Sequence, residues 1–194
     1  LYYSSQYVQK KNPVIITDEV FEAFAGGAFL KGLNPILIVY DHPPLGRYVV
    51  SLSILLFNNP HTIILPLLAL SAFGFFLLSR AVIKHTLLAL IPLVVFLNEP
   101  LFYSKLIFTP LPEPIQLPFI VFSLVFFIKG ISTKHYTKWF ICTSLMLGGV
   151  ISTRYFVLGA TLVAAMMIFF ALRREFGRRL ITFLLMLPLS LVVL

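Results

Sequence analysis

Long uninterrupted apolar runs constrain this chain more than anything else in it. ILPLLALSAFGFFLLS (64–79) and FVLGATLVAAMMIFFAL (156–172) contain no charged residue. They are continuous rather than alternating, which is the pattern of helices and not of barrel strands. A soluble domain holds about 45–50% apolar and about 25% charged residues. This chain of 194 residues is 59% hydrophobic and 11% charged. That much apolar surface cannot be buried in so small a core. Lipid as solvent removes the difficulty, provided the backbone satisfies its own hydrogen bonds. The expected fold is therefore all-α, a polytopic transmembrane helix bundle.

The net charge of +8 would suggest nucleic acid in a soluble protein. Here the cations stand in short clusters between apolar runs, and no basic face carries interleaved aromatics. Nucleic acid is excluded as a partner; the bilayer is the expected one. The single cysteine, Cys142, forms no intrachain disulfide. The chain starts at Leu1 and ends inside an apolar segment, so we expect a piece of a longer protein, truncated at both ends.

About six spans are expected, near 61–80, 86–103, 114–129, 138–152, 155–172 and 180–194. The stretch 46–57 is too short to cross a hydrocarbon core of about 30 Å. It is read as an interfacial helix lying outside, with Arg47 and Tyr48 near the headgroups, ended by Asn58, Asn59 and Pro60. Two units result: an external loop with its interfacial helix over 1–60, and a bundle over 61–194. Three basic loops (Arg80 and Lys84; Lys129, Lys134 and Lys138; Arg173, Arg174, Arg178 and Arg179) then share one side. The positive-inside rule makes that side cytoplasmic. Asp18, Glu19, Glu22, Asp41, Glu99 and Glu113 fall on or near the other, and only Glu175 is inside.

The acids carry the chemistry. Asp18-Glu19 is followed after about twenty residues by Asp41-His42-Pro43-Pro44-Leu45-Gly46-Arg47. A carboxylate at an outer membrane surface can take a proton from an attacking hydroxyl. The double proline fixes an extended turn that presents Asp41 and His42. Arg47, one turn on, has the fork geometry for a phosphate. The same residues also fit a plain helix start, with Thr17 or Asp18 as N-cap and acids at the positive helix end.

DEVFEAFAGGAFLKG (18–32) and YDHPPLGRYVVSLSILLF (40–57) together resemble the first external loop of the dolichyl-phosphate-mannose protein mannosyltransferases. The pattern is an Asp-Glu pair, an aromatic-rich helix, then Asp-x-His-Pro-Pro-Leu-Gly-Lys. The lipid A aminoarabinose transferases carry a looser version, and both belong to the GT-C glycosyltransferases. LGGVISTRYFVLGATL (147–162) is similar to the family's Gly-rich helix ending in Thr-Lys. YSKLIFTPLPEP (103–114) stands where it has a Ser-Arg…Asp segment.

The resemblance implies a GT-C-like bundle that moves a sugar from a polyprenyl-phosphate donor to an acceptor hydroxyl at the outer or lumenal face. The acceptor would be a protein or a lipid, and the membrane the plasma membrane or endoplasmic reticulum. Asp18 would be the catalytic base, with Glu19 beside it. Asp41 and His42 would shape the pocket. Arg47 and Arg154 stand where the family has Lys and would hold the donor phosphate, although Arg is not equivalent to Lys. Lys105 replaces Arg, and Glu113 is a loose stand-in for Asp. No redox cofactor is implied, and a divalent metal is compatible with the scheme but not required. The rival reading is a non-catalytic GT-C-like subunit that binds lipid or partner proteins in a membrane complex. A transporter is disfavoured because the acids gather at one face rather than mid-membrane.

The remaining candidates have plainer readings. His61, His85 and His135 stand at segment ends, without metal-site spacing. Glu99 lies near a membrane boundary. Gly148 and Gly149 suit close helix packing. Tyr136, Trp139 and Tyr155 suit an interfacial belt.

Overall fold

The computed structural model describes residues 18–34, 43–99, 110–154, 156–173 and 177–193, apart from the side chains of Glu19 and Phe156. Every regular element among them is helical. In chain order these are α1 (Asp18–Leu30), α2 (Leu45–Phe57), α3 (Ile64–Ile83), α4 (Leu90–Leu97), α5 (Pro112–Ser132), α6 (Tyr136–Thr153), α7 (Phe156–Arg173) and α8 (Arg178–Met186), which runs into a 3-10 helix, Leu187–Val193. The protein is a helical membrane bundle.

The helix ends follow local chemistry. Asn58 closes α2 in the left-handed conformation (φ 52°), its N–H bonded to the Ile54 carbonyl, a role Asn fills more cheaply than most residues. Pro112 opens α5, where a missing N–H costs nothing. The last segment departs from the expected span: α8 gives way to the 3-10 turn at Leu187. Pro188 has no N–H to continue the α-helical ladder, so the chain tightens there. The 86–103 segment also differs. Turns occupy 86–89 and the helix covers only Leu90–Leu97, while 100–109 lie outside the described residues. By length and composition α3 and α5 are long and apolar enough to cross a membrane. α7 covers about 27 Å at 1.5 Å per residue, slightly short of a hydrocarbon core.

Packing partners fix the directions. Ile64 and Leu68 of α3 share an apolar cluster with Ile115, and Gly74 faces Val121 and Phe122, so α3 and α5 run parallel. Gly130 meets Phe140, and Gly149 meets Phe119, so α6 returns antiparallel to α5. Gly159 of α7 lies against Ile151. Phe170 of the same helix packs on Phe140, so α7 reverses again. Phe183 packs on Phe140, and Ser152 donates to the Val193 carbonyl at 2.9 Å, so the last segment follows α6. Gly148 and Gly149, like Gly130 and Gly159, are positions of close approach. A Cβ on Gly148 would stand 2.5 Å from the Ser190 carbonyl oxygen, and one on Gly149 2.3 Å from the Phe119 ring.

These directions place Arg80, Lys84, Lys129, Lys134, Lys138, Arg173, Arg178 and Arg179 at one end of the bundle. Arg179 reaches across to donate to the Ile131 carbonyl, joining two of the basic turns. The core there is aromatic: Phe127, Phe140, Phe170 and Phe183 are buried with Leu147, Met166 and Leu180. At the opposite end, the contacts of α2 with the bundle fall at the starts of α3 and α5 and the end of α6. Its other side exposes Leu52, Leu55, Leu56 and Phe57.

Candidate functional site

At that opposite end the first turn of α2 links two charged neighbourhoods. The first joins α1 to α2. The two helices run side by side in the same direction, Glu22 beside Arg47 and Gly26 beside Val50 and Ser51. Gly26 permits the approach, because a Cβ there would meet Val50 Cγ1 at 2.9 Å and the Ser51 backbone nitrogen at 3.2 Å. The Ser51 hydroxyl lies 2.9 Å from the Gly26 carbonyl oxygen and 2.8 Å from that of Arg47.

Arg47 is packed inside the protein at this end, 2% exposed, with Glu22 at 8%. Its Nη2 donates to Glu22 Oε1 at 3.0 Å, and its Nε lies 3.0 Å from Oε2. Its guanidinium also sits over the Phe21 ring, 5.9 Å from the centroid. Two charges taken out of water must stay paired, and removing one partner strands the other at a cost of about 3–5 kcal/mol. Glu22 is the residue that reading the sequence left without a role. The signals available were its i+4 spacing from Asp18 and the need of a buried Arg47 for a counter-charge.

The second neighbourhood joins α5 to α6. Glu113, in the first turn of α5, pairs with Arg154, which follows the last residue of α6. Both are partly exposed. The helix start favours the acid there. One turn deeper, buried Gln116 donates from Nε2 to the Val150 carbonyl at 2.7 Å. That carbonyl belongs to the last turn of α6, where acceptors lack partners within the helix. The Gln116 bond thus caps α6 and ties it to α5. Gly46, next to Arg47, links the two neighbourhoods. Its Cα faces Thr153 and Pro112 closely enough that a Cβ would touch both, at 3.4 and 3.7 Å.

Asp18 opens α1 and is exposed, one turn before Glu22 and on the same helix face. Glu19 follows it in α1, its side chain outside the described part. Asp41 and His42 lie outside the described residues. Arg47 and Arg154 each stand in an ion pair, with Glu22 and Glu113 respectively. Glu99 is exposed just past α4. Among the described residues no group of three His, Cys, Asp or Glu is placed to hold a metal ion. An open depression of about 450 Å³ lies at the other end of the bundle, lined by Lys134, His135, Tyr136, Thr137, Lys138 and Ile141. It shares no residue with this site.

The described bundle thus keeps two ion pairs at one end, on segments far apart in sequence. The chain belongs to the dolichyl-phosphate-mannose-protein mannosyltransferase family, whose model matches residues 41–194. The match takes in the Asp41–Arg47 motif, Glu113 and Arg154, and begins after Asp18 and Glu19. No curated protein and no solved structure matches the chain. Family membership makes it an integral membrane glycosyltransferase of the mannosyltransferase kind, working in the setting of a lipid-linked sugar donor.

Proposed function

We propose that the chain carries the catalytic end of an inverting transferase that takes its sugar from a polyprenyl phosphate. Asp18 removes the proton from the acceptor hydroxyl of a protein or lipid. The acceptor oxygen attacks the anomeric carbon, and the bond from that carbon to the phosphate oxygen breaks. The electron pair leaves with the polyprenyl phosphate. Arg154 meets that charge directly, exchanging part of its contact with Glu113 for the phosphate, and Arg47 adds its field from below. Glu19, Asp41 and His42 are assigned by the motif to binding the acceptor and sugar.

The observation that supports this reading most is the bridging position of α2. Arg47 contacts the helix that bears Asp18, and Gly46 abuts the turn that bears Arg154. Base and phosphate must come within a few ångströms of one reacting carbon, and a shared rigid helix start is a means to that. The assay is sugar transfer from a polyprenyl-phosphate donor by the full-length protein. Activity that survives Asp18→Asn unchanged removes Asp18 from the mechanism. No transfer with any donor points to the non-catalytic, lipid- or partner-binding subunit.

The active face lies opposite the basic loops, outside the cell or in the lumen, by the positive-inside rule. Single cysteines at Lys31, Val82 and Lys134, in a Cys142→Ser background, test the orientation with an impermeant thiol reagent in sealed vesicles. Positions 82 and 134 are expected to label together, and 31 only from the other side. Labelling of 31 and 134 from one side refutes the arrangement.

A further inference from the structure

We propose that Glu22 and Arg47 form a positioning pair that docks the base-bearing helix α1 onto α2, so that Arg47 acts through Glu22 and not as a direct ligand of the donor. The proposal rests on the reading of Asp18 as the general base. Glu22 is a carboxylate buried at the α1–α2 contact, and the guanidinium that faces it is more deeply buried still. Arg47 Nη2 donates to Glu22 Oε1 at 3.0 Å, and Nε stands 3.0 Å from Oε2 in ionic contact without making a hydrogen bond. One charge-assisted hydrogen bond with an ionic contact beside it holds the two side chains together more firmly than a neutral contact does.

The rest of the described α1–α2 contact is uncharged, and its close point is at Gly26. Gly26 presents no side chain to Val50. Ser51 supplies one hydroxyl, and Phe29 and Tyr48 meet in a tilted ring contact 5.5 Å between centroids. The ion pair adds a charge-matched constraint to the register that Gly26 and Ser51 already favour. Asp18 stands one helical turn from Glu22, about 6 Å along the axis at 1.5 Å per residue. A shift or rotation of α1 is passed straight to it.

A charged pair suits this duty in a way that an apolar contact does not. Apolar side chains fit in several registers at similar energy, whereas a buried carboxylate accepts only the register that pairs it. Arg47, taken up in this way, is not free to reach the donor, and direct contact with the leaving phosphate falls to Arg154.

The test uses the full-length protein with Cys142→Ser, Phe29→Cys and Tyr48→Cys, and a short bifunctional thiol cross-linker. The cross-link yield reports docking of α1 on α2 and needs no activity. Glu22→Gln is expected to lower the yield and to reduce kcat about 10²-fold, the usual penalty for displacing a catalytic group by about an ångström. KM for the donor should stay within about twofold, because no donor-binding group has been lost. Cross-linking the Glu22→Gln protein should then restore most of kcat. Glu22→Asp keeps the charge and should fall between the two in both readouts, which guards against a Gln variant that fails to fold.

An unchanged cross-link yield in Glu22→Gln overturns the proposal. So does a rise in donor KM at constant kcat, which would make Arg47 a donor ligand. A locked variant that stays inactive also overturns it. Absence of transfer in the unmutated protein defeats the reading of Asp18 as base, and with it the catalytic half of the proposal. The cross-link yields still decide whether the pair docks the helix.

Discussion

The two ends of the bundle hold together by different means. At the basic end, Phe127 meets Phe170 edge-on at 5.4 Å and 89°, and Phe183 meets Phe140 at 5.5 Å and 64°. Cations there decorate the rim. At the other end the ties between helices include Glu22 with Arg47, Glu113 with Arg154, and Gln116 with the Val150 carbonyl. Lipid gives no hydrophobic force between helices, so the aromatic end is held by packing and dispersion. Such contacts are tolerant. Paired charges carry a desolvation cost that apolar side chains of similar shape would avoid. Among the described residues the ion pairs Glu22–Arg47 and Glu113–Arg154 fall at one end, where charge is kept despite that cost.

The sharpest way to break this contrast is to damage each end in turn. Asp18→Asn keeps the shape of an exposed side chain and is expected to cost 10²–10⁴-fold in transfer rate, the usual worth of a general base. Unfolding in detergent should be unaffected. Phe140→Ala should do the opposite. It opens a cavity among four rings and should cost up to about 3 kcal/mol of stability, the low end of the soluble-core range because lipid supplies no water-transfer gain. The fraction that stays folded should keep its kcat. Loss of kcat in Phe140→Ala, or of stability in Asp18→Asn, would show that the two ends are not separable in this way.

The contrast also governs what could be read from the sequence. The runs that became α3, α5, α6 and α7 were legible because lipid demands long apolar helices, whatever they pack against. The end of α2 was legible because Asn58-Asn59-Pro60 cannot extend a helix. The 3-10 turn at Leu187–Val193 was not foreseen: it depends on one proline inside a run that otherwise reads as a span. The charged end was legible as a set of residue types and not as a set of pairs. Arg47 fits a phosphate ligand by sequence, and only the fold shows a carboxylate 25 residues away lying against it. Gln116 sits unremarked in PEPIQLP, because nothing local says that its amide faces the open end of another helix.

Gln116 provides a finer test. Gln116→Leu removes the donor and leaves the Val150 carbonyl buried without it, at about 1–2 kcal/mol. The α5–α6 contact should loosen at the charged end alone. Amide exchange is expected to rise at the end of α6 near Val150 and to stay unchanged near Phe140. Uniform loosening along α6 would mean that its two ends are mechanically one.

The smallest effect is expected at the basic rim. Trp139 lies between two ammonium groups, Lys129 Nζ at 4.6 Å and Lys138 Nζ at 5.1 Å from the ring centre. Both lysines are exposed, and a cation–π contact in that setting is worth about 0.5–1 kcal/mol. Either cation can serve the ring when the other is removed, so Lys138→Ala should cost no more than the low end of that range. Lys129→Ala with Lys138→Ala should cost more than the two single changes added, because only then does the ring lose its last cation. Trp139 is the only tryptophan in the chain, so its emission reports these changes without a label. The spectrum should move clearly only in the double variant, while stability falls by about 1 kcal/mol and transfer activity holds. A double variant as unstable as Phe140→Ala would place charge among the forces that hold the basic end, and the contrast between the two ends would fail there.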